Sequence, residues 1–249
     1  MNKIGIIGGS GLDDPDLLQN AIDIEVETRH GVPSSPLKQG TLAGRDVVLL
    51  ARHGRAHTIP PTFVNYRANI QALKEAGCTR ILATTACGSL RQEIDRGHLV
   101  VLDQFIDFTR CRPVSFFEEF EPHGAVHTGM ADPFDENLRA LFIQACKTLG
   151  IPHHETGTVV TIEGSRFSTR AESNMFRMWG ADVINMSVAP ECILANEAGM
   201  PYAAVAMSTD YDCWKTDEAP VTWDDILKVF KGNVEKVTSL LVEVIKNMD

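Results

Sequence analysis

No run of about 18 consecutive apolar residues, the length a membrane-crossing helix needs, occurs in this 249-residue chain. Apolar residues nevertheless make up 44% of it, enough for a substantial core broken into short elements. Paired cysteines are also missing. The six cysteines (Cys78, Cys87, Cys111, Cys146, Cys192 and Cys213) are scattered without a CxxC, which argues against a structural zinc site or a disulfide framework. Basic charge is scarce: 23 Lys and Arg face 33 Asp and Glu, a formal net charge of −10. That balance disfavours nucleic acid and anionic membranes as main partners, though a local site can still oppose the overall field and hold a small anion. The opening residues, "MNKIGIIGGSGLDDP", lack the long apolar stretch of a secretory signal, so the expectation is a cytoplasmic protein with reduced thiols.

What is present is a repeated pattern. A helical segment ends in glycine and an apolar strand follows within a few residues, as in "ALKEAGCTRILATTA", "CKTLGIPHHETGTVVTI", "RMWGADVINMS" and "NEAGMPYAAVAMS". Glycine suits the left-handed position after a helix. Val- and Ile-rich strands without strict alternation suggest burial on both faces. Alternating helix and strand predict an α/β fold: one domain over residues 1–249, with a twisted, mixed central β-sheet flanked by helices. Helices are predicted at 62–76, 133–149, 190–198 and 223–247, the last repeating Trp223, Ile226, Leu227, Phe230, Val234, Val237, Leu241, Val244 and Ile245 at helical spacing. Strands are predicted near 3–7, 46–51, 80–85, 98–103, 157–162, 182–187 and 202–208. Residues 108–128 are irregular and read as a long surface excursion.

Ligands of open α/β sheets bind beyond the carboxyl ends of the strands. Several predicted ends carry polar or glycine-rich clusters: "GGSG" with Ser10, "RHGRAH" with Arg52, His53 and His57, "TTACGS" from Thr84 to Ser89, "EGSRFSTR", and "NMS" with Met186 and Ser187. Each alone has an ordinary reading as a tight turn, a surface ion pair or a self-satisfied loop. Together, Arg52, Ser10, Thr85 and Ser187 supply one cation and several hydroxyl donors, which is what a phosphate dianion needs. The 202–208 strand runs into Asp210 and Asp212. If it continues through them, both carboxylates point to the same side. Crowded there, at least one should have a raised pKa. Three readings stay open: a metal pair lacking a third local acid, a helix cap at Asp212, or a grip on a basic heterocycle with an exocyclic amine.

The long motifs "IGIIGGSGLDDP", "ARHGRAHTIPP", "VNYRANIQALKEAGC", "TTACGSL", "DQFIDFTRCRPVSFF", "TIEGSRFSTRAESNMFRMWGADVINMS" and "STDYDCWK" resemble the trimeric purine nucleoside phosphorylase family over essentially the whole chain. More narrowly, they look like members that cleave 5′-methylthioadenosine. The resemblance implies a homotrimer that phosphorolyses that nucleoside to adenine and 5-methylthioribose-1-phosphate. Inorganic phosphate would be the co-substrate, and neither a metal nor an organic cofactor would be needed. Ser10, Arg52, His53, Thr85, Ala86 and Ser187 would hold phosphate. Met186 would lie against the ribose and Phe167 near the base, with Ser168, Cys87, Gly88 and His57 also at the substrate. His127 would reach a neighbouring subunit's site. Asp210 and Asp212 would recognise adenine, with Asp210 as the acid that lets the purine leave uncharged. Trp223, Ile226 and Leu227 are expected at the pocket for the 5′ substituent, although Trp223 also reads as an ordinary core residue of an amphipathic helix. Relatives that act on 6-oxopurines carry Asn at the position of Asp210 and Glu at that of Ser168, so this pair points to a 6-aminopurine. Phosphorolysis of 6-oxopurine nucleosides or of methylthioinosine is the alternative activity. A non-catalytic nucleotide-binding role would need a broken phosphate site, whereas these residue types are intact.

Overall fold

Eleven strands join in one mixed sheet in the computed structural model, which describes residues 3–8, 17–120, 124–217, 222, 228–229 and 232–248. In chain order they are β1 (Lys3–Gly8), β2 (Gln19–Ile24), β3 (Leu37–Leu42), β4 (Arg45–Ala51), β5 (Cys78–Ser89), β6 (Leu99–Val101), β7 (Gln104–Phe108), β8 (His153–His154), β9 (Thr158–Ile162), β10 (Val183–Asn185) and β11 (Tyr202–Asp210). The spatial order is β2-β3-β4-β1-β5-β10-β9-β7, while β11 pairs with β5 and β6, and β6 with β8. The fold is therefore α/β with a mixed sheet, as the sequence predicts.

The twelve-residue β5 organises the site. Its first half runs parallel to β1, Ile81–Gly88 run parallel to β11, and its last residues pair antiparallel with β10 at Gly88–Ile184 and Ser89–Val183. The sequence pattern predicts an end to this strand near residue 85, with Thr84–Ser89 as the loop that follows. The structure moves that boundary: β11 and β10 supply hydrogen-bond partners as far as Ser89, so the polar and glycine residues stay in the ladder. Four elements escape the pattern, β2, β3, β7 and β8. The first two, "QNAIDI" and "LKQGTL", form the margin of the sheet beyond β4, where burial is incomplete and the apolar signal fades.

Helices α1 (Tyr66–Glu75), α2 (Glu136–Leu149), α3 (Arg170–Met178), α4 (Val188–Glu197) and α5 (Val234–Lys246) pack on both faces. Tyr66, Ile70 and Leu73 of α1 share one core with Cys192, Leu194 and Ala195 of α4. Opposite lies a second core, where Leu138, Phe142 and Ala145 of α2 meet Val237, Leu241 and Val244 of α5. The starts are set by capping. Asn65 and Asp135 accept from the Ala68 and Leu138 amides, and Thr169 with Glu172 forms a reciprocal capping box. The predicted helix start at Pro133 moves to Glu136 for this reason. Of the predicted 223–247 helix, Val234–Lys246 is described; Trp223, Ile226 and Leu227 lie outside the described residues, as does Ser10. No helix among the described residues is long and apolar enough to cross a membrane.

Candidate active site

The carboxyl ends of β4, β9, β10 and β11 converge with the second half of β5 around a cavity of about 390 Å³, a volume suited to a nucleoside-sized ligand. Arg52, His53, His57, Thr85, Ala86, Cys87, Gly88, Phe167, Ser168, Met186, Ser187, Asp210 and Asp212 all line it. Asn185 and Ser165, from the strand-end clusters "NMS" and "EGSRFSTR", line it too, while Pro61, Ile162, Ile184 and Thr209 complete the wall without having been singled out in the sequence. His127 does not line this cavity; it is exposed and packs edge-on to Phe120, with ring centroids 5.6 Å apart.

One end is built around Arg52, which is 1% exposed. Its Nε donates to Glu191 Oε1 at 2.5 Å, its Nη2 to Glu191 Oε2 at 2.9 Å, and its Nη1 to the Thr84 carbonyl at 2.9 Å. Tyr202 donates from its hydroxyl to the same Glu191 Oε2 at 2.9 Å. Burial opposes the guanidinium charge, but the carboxylate overrides it and holds the group protonated. Three of the five guanidinium hydrogens are thus committed, and one remains on each Nη. Glu191 was invisible in the sequence, where it reads as one more helical residue. Beside Arg52, Ser187 begins α4, and its hydroxyl caps none of its own helix's amides. Asn185 ties the neighbouring strands: it accepts from Thr161 Oγ1 at 2.8 Å and donates to Thr85 Oγ1 at 3.3 Å. A cation, two hydroxyls and a helix N-terminus thus face one space, an arrangement that suits an anion.

The other end holds the acidic pair. The geometry differs from the expected two residues of one extended strand. β11 ends at Asp210, and Asp212 sits in the left-handed region with φ 46°. The chain turns because the Asp212 N–H donates back to Asp210 Oδ2 at 2.9 Å. Both carboxylates still reach the cavity, through a turn rather than strand alternation. Gly88 makes room for them: a Cβ there would lie 3.1 Å from Asp210 Oδ2 and 3.4 Å from the Asp212 Cβ.

Burial pushes the Asp210 carboxyl up to about 6; the Thr209 hydroxyl, donating to Oδ1 at 2.7 Å, and the Asp212 N–H oppose this, while the Asp212 charge reinforces it. Asp212 is raised too, by its own burial. The hydroxyls of Ser173 and Ser168 lie near enough to favour the Asp212 carboxylate, but none of these groups is in good hydrogen-bond geometry. Asp212 Oδ2, Ser168 Oγ and Ser173 Oγ all remain buried without a partner. Unpaired buried polar atoms are costly, and the two that line the cavity are suited to polar atoms of a ligand. Between the two ends, Arg112 fixes the Met186 wall. Its Nη1 donates to the Met186 carbonyl at 2.5 Å and to Tyr66 Oη at 3.0 Å, and its Nη2 to the carbonyl of Glu163. Among the described residues no group of three or more His, Cys, Asp or Glu is placed to hold a metal ion.

Residues 3–246 match the phosphorylase superfamily. The chain belongs to that superfamily. Within it, this phosphorylase is 55% identical over 245 residues to S-methyl-5′-thioadenosine phosphorylase of Danio rerio, a match covering 98% of this chain and 88% of that protein. Identity to the Xenopus tropicalis protein of the same name is also 55%, over 246 residues, with the same coverage. Among solved structures, methylthioadenosine phosphorylase from Schistosoma mansoni in complex with adenine superposes with a TM-score of 0.94 at 42% identity, covering 100% of this chain and 93% of that one. A mutant of the Schistosoma enzyme in complex with methylthioadenosine gives 0.93 at 41% identity, with the same coverage.

Proposed function

We propose that this phosphorylase is a pentosyltransferase that cleaves 5′-methylthioadenosine with inorganic phosphate, giving adenine and 5-methylthioribose-1-phosphate. The observation that carries this reading is an acid pair, buried Asp210 with half-buried Asp212, and a buried arginine at opposite ends of one cavity. Phosphate occupies the Arg52, Thr85 and Ser187 end, with His53 and Ala86 beside it. The purine lies against Asp210 and Asp212, and the sugar spans the Met186 wall between them. Cys87, Gly88, His57 and Phe167 close the remaining sides around the nucleoside.

The chemistry follows from the two ends. Cleaving the glycosidic bond leaves positive character on the sugar and negative charge on the departing purine. Asp210, neutral in part of the population near its pKa of about 6, stabilises or supplies a proton at N7, so that adenine leaves uncharged. Asp212 accepts from the exocyclic amine next to N7 through the oxygen that has no protein partner. A 6-oxopurine would set its O6 acceptor against these carboxylates, a mismatch of about 1–3 kcal/mol. Phosphate attacks the opposite face of the sugar, held by Arg52 and the hydroxyls.

We further propose a cytoplasmic homotrimer in which the exposed His127 enters a neighbouring subunit's cavity. Adenine release from 5′-methylthioadenosine, measured with and without phosphate, tests the assignment. Release that requires phosphate and yields the sugar phosphate is expected; equal release without phosphate means hydrolysis and overturns the reading.

A further inference from the structure

His53, beside Arg52, has its ring hydrogen assigned by the backbone. Nδ1 lies 2.9 Å from the Ile59 carbonyl oxygen. A carbonyl only accepts, so Nδ1 carries the hydrogen. The Ile59 amide returns to the His53 carbonyl at 3.0 Å, and the two bonds fix the ring against the 53–59 turn. In the neutral imidazole Nε2 is then a bare lone pair. Among the described residues no protein donor is paired with Nε2, while the ring lines the cavity.

The balance of groups acting on the ring is against a second proton, although the bond to the Ile59 carbonyl favours one. Burial comes first and holds the imidazole down to about 4. Arg52, His57 and Arg112 each oppose the charge as well, and no carboxylate stands among them. At neutral pH the anion end therefore contains one acceptor among its donors.

We infer that His53 Nε2 accepts the hydrogen of a protonated phosphate oxygen, so that the site selects hydrogen phosphate over an anion of the same shape and charge that carries no hydrogen. The inference rests on the phosphorolysis reading and adds the protonation state of the co-substrate. Arg52, Thr85 and Ser187 then serve the unprotonated oxygens, and the P–OH is turned toward His53. Sulfate, tetrahedral and dianionic, presents an oxygen lone pair to Nε2 instead. Two acceptors in contact within a buried site discriminate strongly, by roughly tenfold to a hundredfold on the scale of an unmade hydrogen bond.

The test is a competition at neutral pH. The phosphate KM and the sulfate Ki against phosphate are measured for the wild type, His53→Ala and His53→Gln, with 5′-methylthioadenosine saturating. In the wild type, sulfate should bind at least about tenfold more weakly than phosphate. His53→Ala should bring the two toward parity, chiefly by raising the phosphate KM. His53→Gln, whose amide can donate, should favour sulfate further. Wild-type sulfate binding within about twofold of phosphate, or an unchanged ratio in the variants, overturns the inference while leaving phosphorolysis standing. The wild-type ratio decides even if a variant misfolds. Turnover that needs no phosphate overturns both readings.

Discussion

Glu191→Gln is the perturbation that examines the anion end most fully. The pair it breaks is buried on both sides, with side-chain exposures of 1% for Arg52 and 0% for Glu191. Removing one charge leaves the Arg52 guanidinium buried and uncompensated, which costs about 3–5 kcal/mol. The glutamine amide also turns a donor toward either an arginine hydrogen or the Tyr202 hydroxyl, so one of the bonds now at 2.5, 2.9 and 2.9 Å is lost. For a chain of this length, each kcal/mol lowers the melting temperature by about 2–4 °C, so the loss should reach roughly 6–20 °C. Phosphate supplies the missing negative charge. It should therefore stabilise the variant more than the wild type, recovering part of the deficit through linkage. Thermal unfolding of both proteins, with and without phosphate, reads both effects. A variant that melts within about 2 °C of the wild type, or that gains no more from phosphate than the wild type does, would refute the claim that Glu191 compensates Arg52 at an anion site.

Two further outcomes follow from the acid pair and the Met186 wall. The folded-state pKa of Asp210, about 6, lies above its unfolded value of about 3.9, so its contribution is favourable below pH 4 and is lost as pH rises through 6. At neutral pH the ionised group costs on the order of 3 kcal/mol. Asn keeps the bond from the Asp212 amide and reverses the one with Thr209, whose hydroxyl can turn its hydrogen to the Cys87 carbonyl at 3.1 Å, so Asp210→Asn should unfold at higher denaturant than the wild type near neutral pH, with the gain shrinking toward pH 4; a gain independent of pH would contradict the cause given. Arg112→Met takes the charged donor from the carbonyls of Met186 and Glu163, leaving them only the Tyr66 hydroxyl at 3.4 Å and the Thr62 hydroxyl at 3.0 Å, and removes the 2.8 Å partner of Glu163 Oε1. It should cost about 1–3 kcal/mol in all and raise the nucleoside KM, and an unchanged KM would remove Arg112 from the support of the site.

Much of this was legible before the fold was seen. The Val- and Ile-rich segments that became β1, β4, β5, β9 and β11 announced themselves, and the polar clusters behind them converge on one cavity because open α/β sheets gather strand ends. What stayed hidden was non-local. Glu191 lies 139 positions from Arg52 and is buried only because Arg52 and Tyr202 meet it there. Asp210 and Asp212 share a cavity as expected, but through a turn closed by the Asp212 amide, which strand periodicity does not foresee. α3 was sensed only through the glycine that follows it, although Thr169 and Glu172 spell a capping box. Edge strands such as "QNAIDI" are mostly exposed and carry only a faint apolar signal.

Asp210→Asn kinetics test the central claim most directly, because the substitution keeps the shape of the side chain but replaces an ionisable carboxyl with an amide that can donate a hydrogen bond and cannot transfer a proton. With 5′-methylthioadenosine and phosphate both saturating, kcat should fall by about 10²–10⁴-fold while the protein stays folded. A kcat within about tenfold of the wild type would contradict the role of Asp210 in letting the purine depart uncharged.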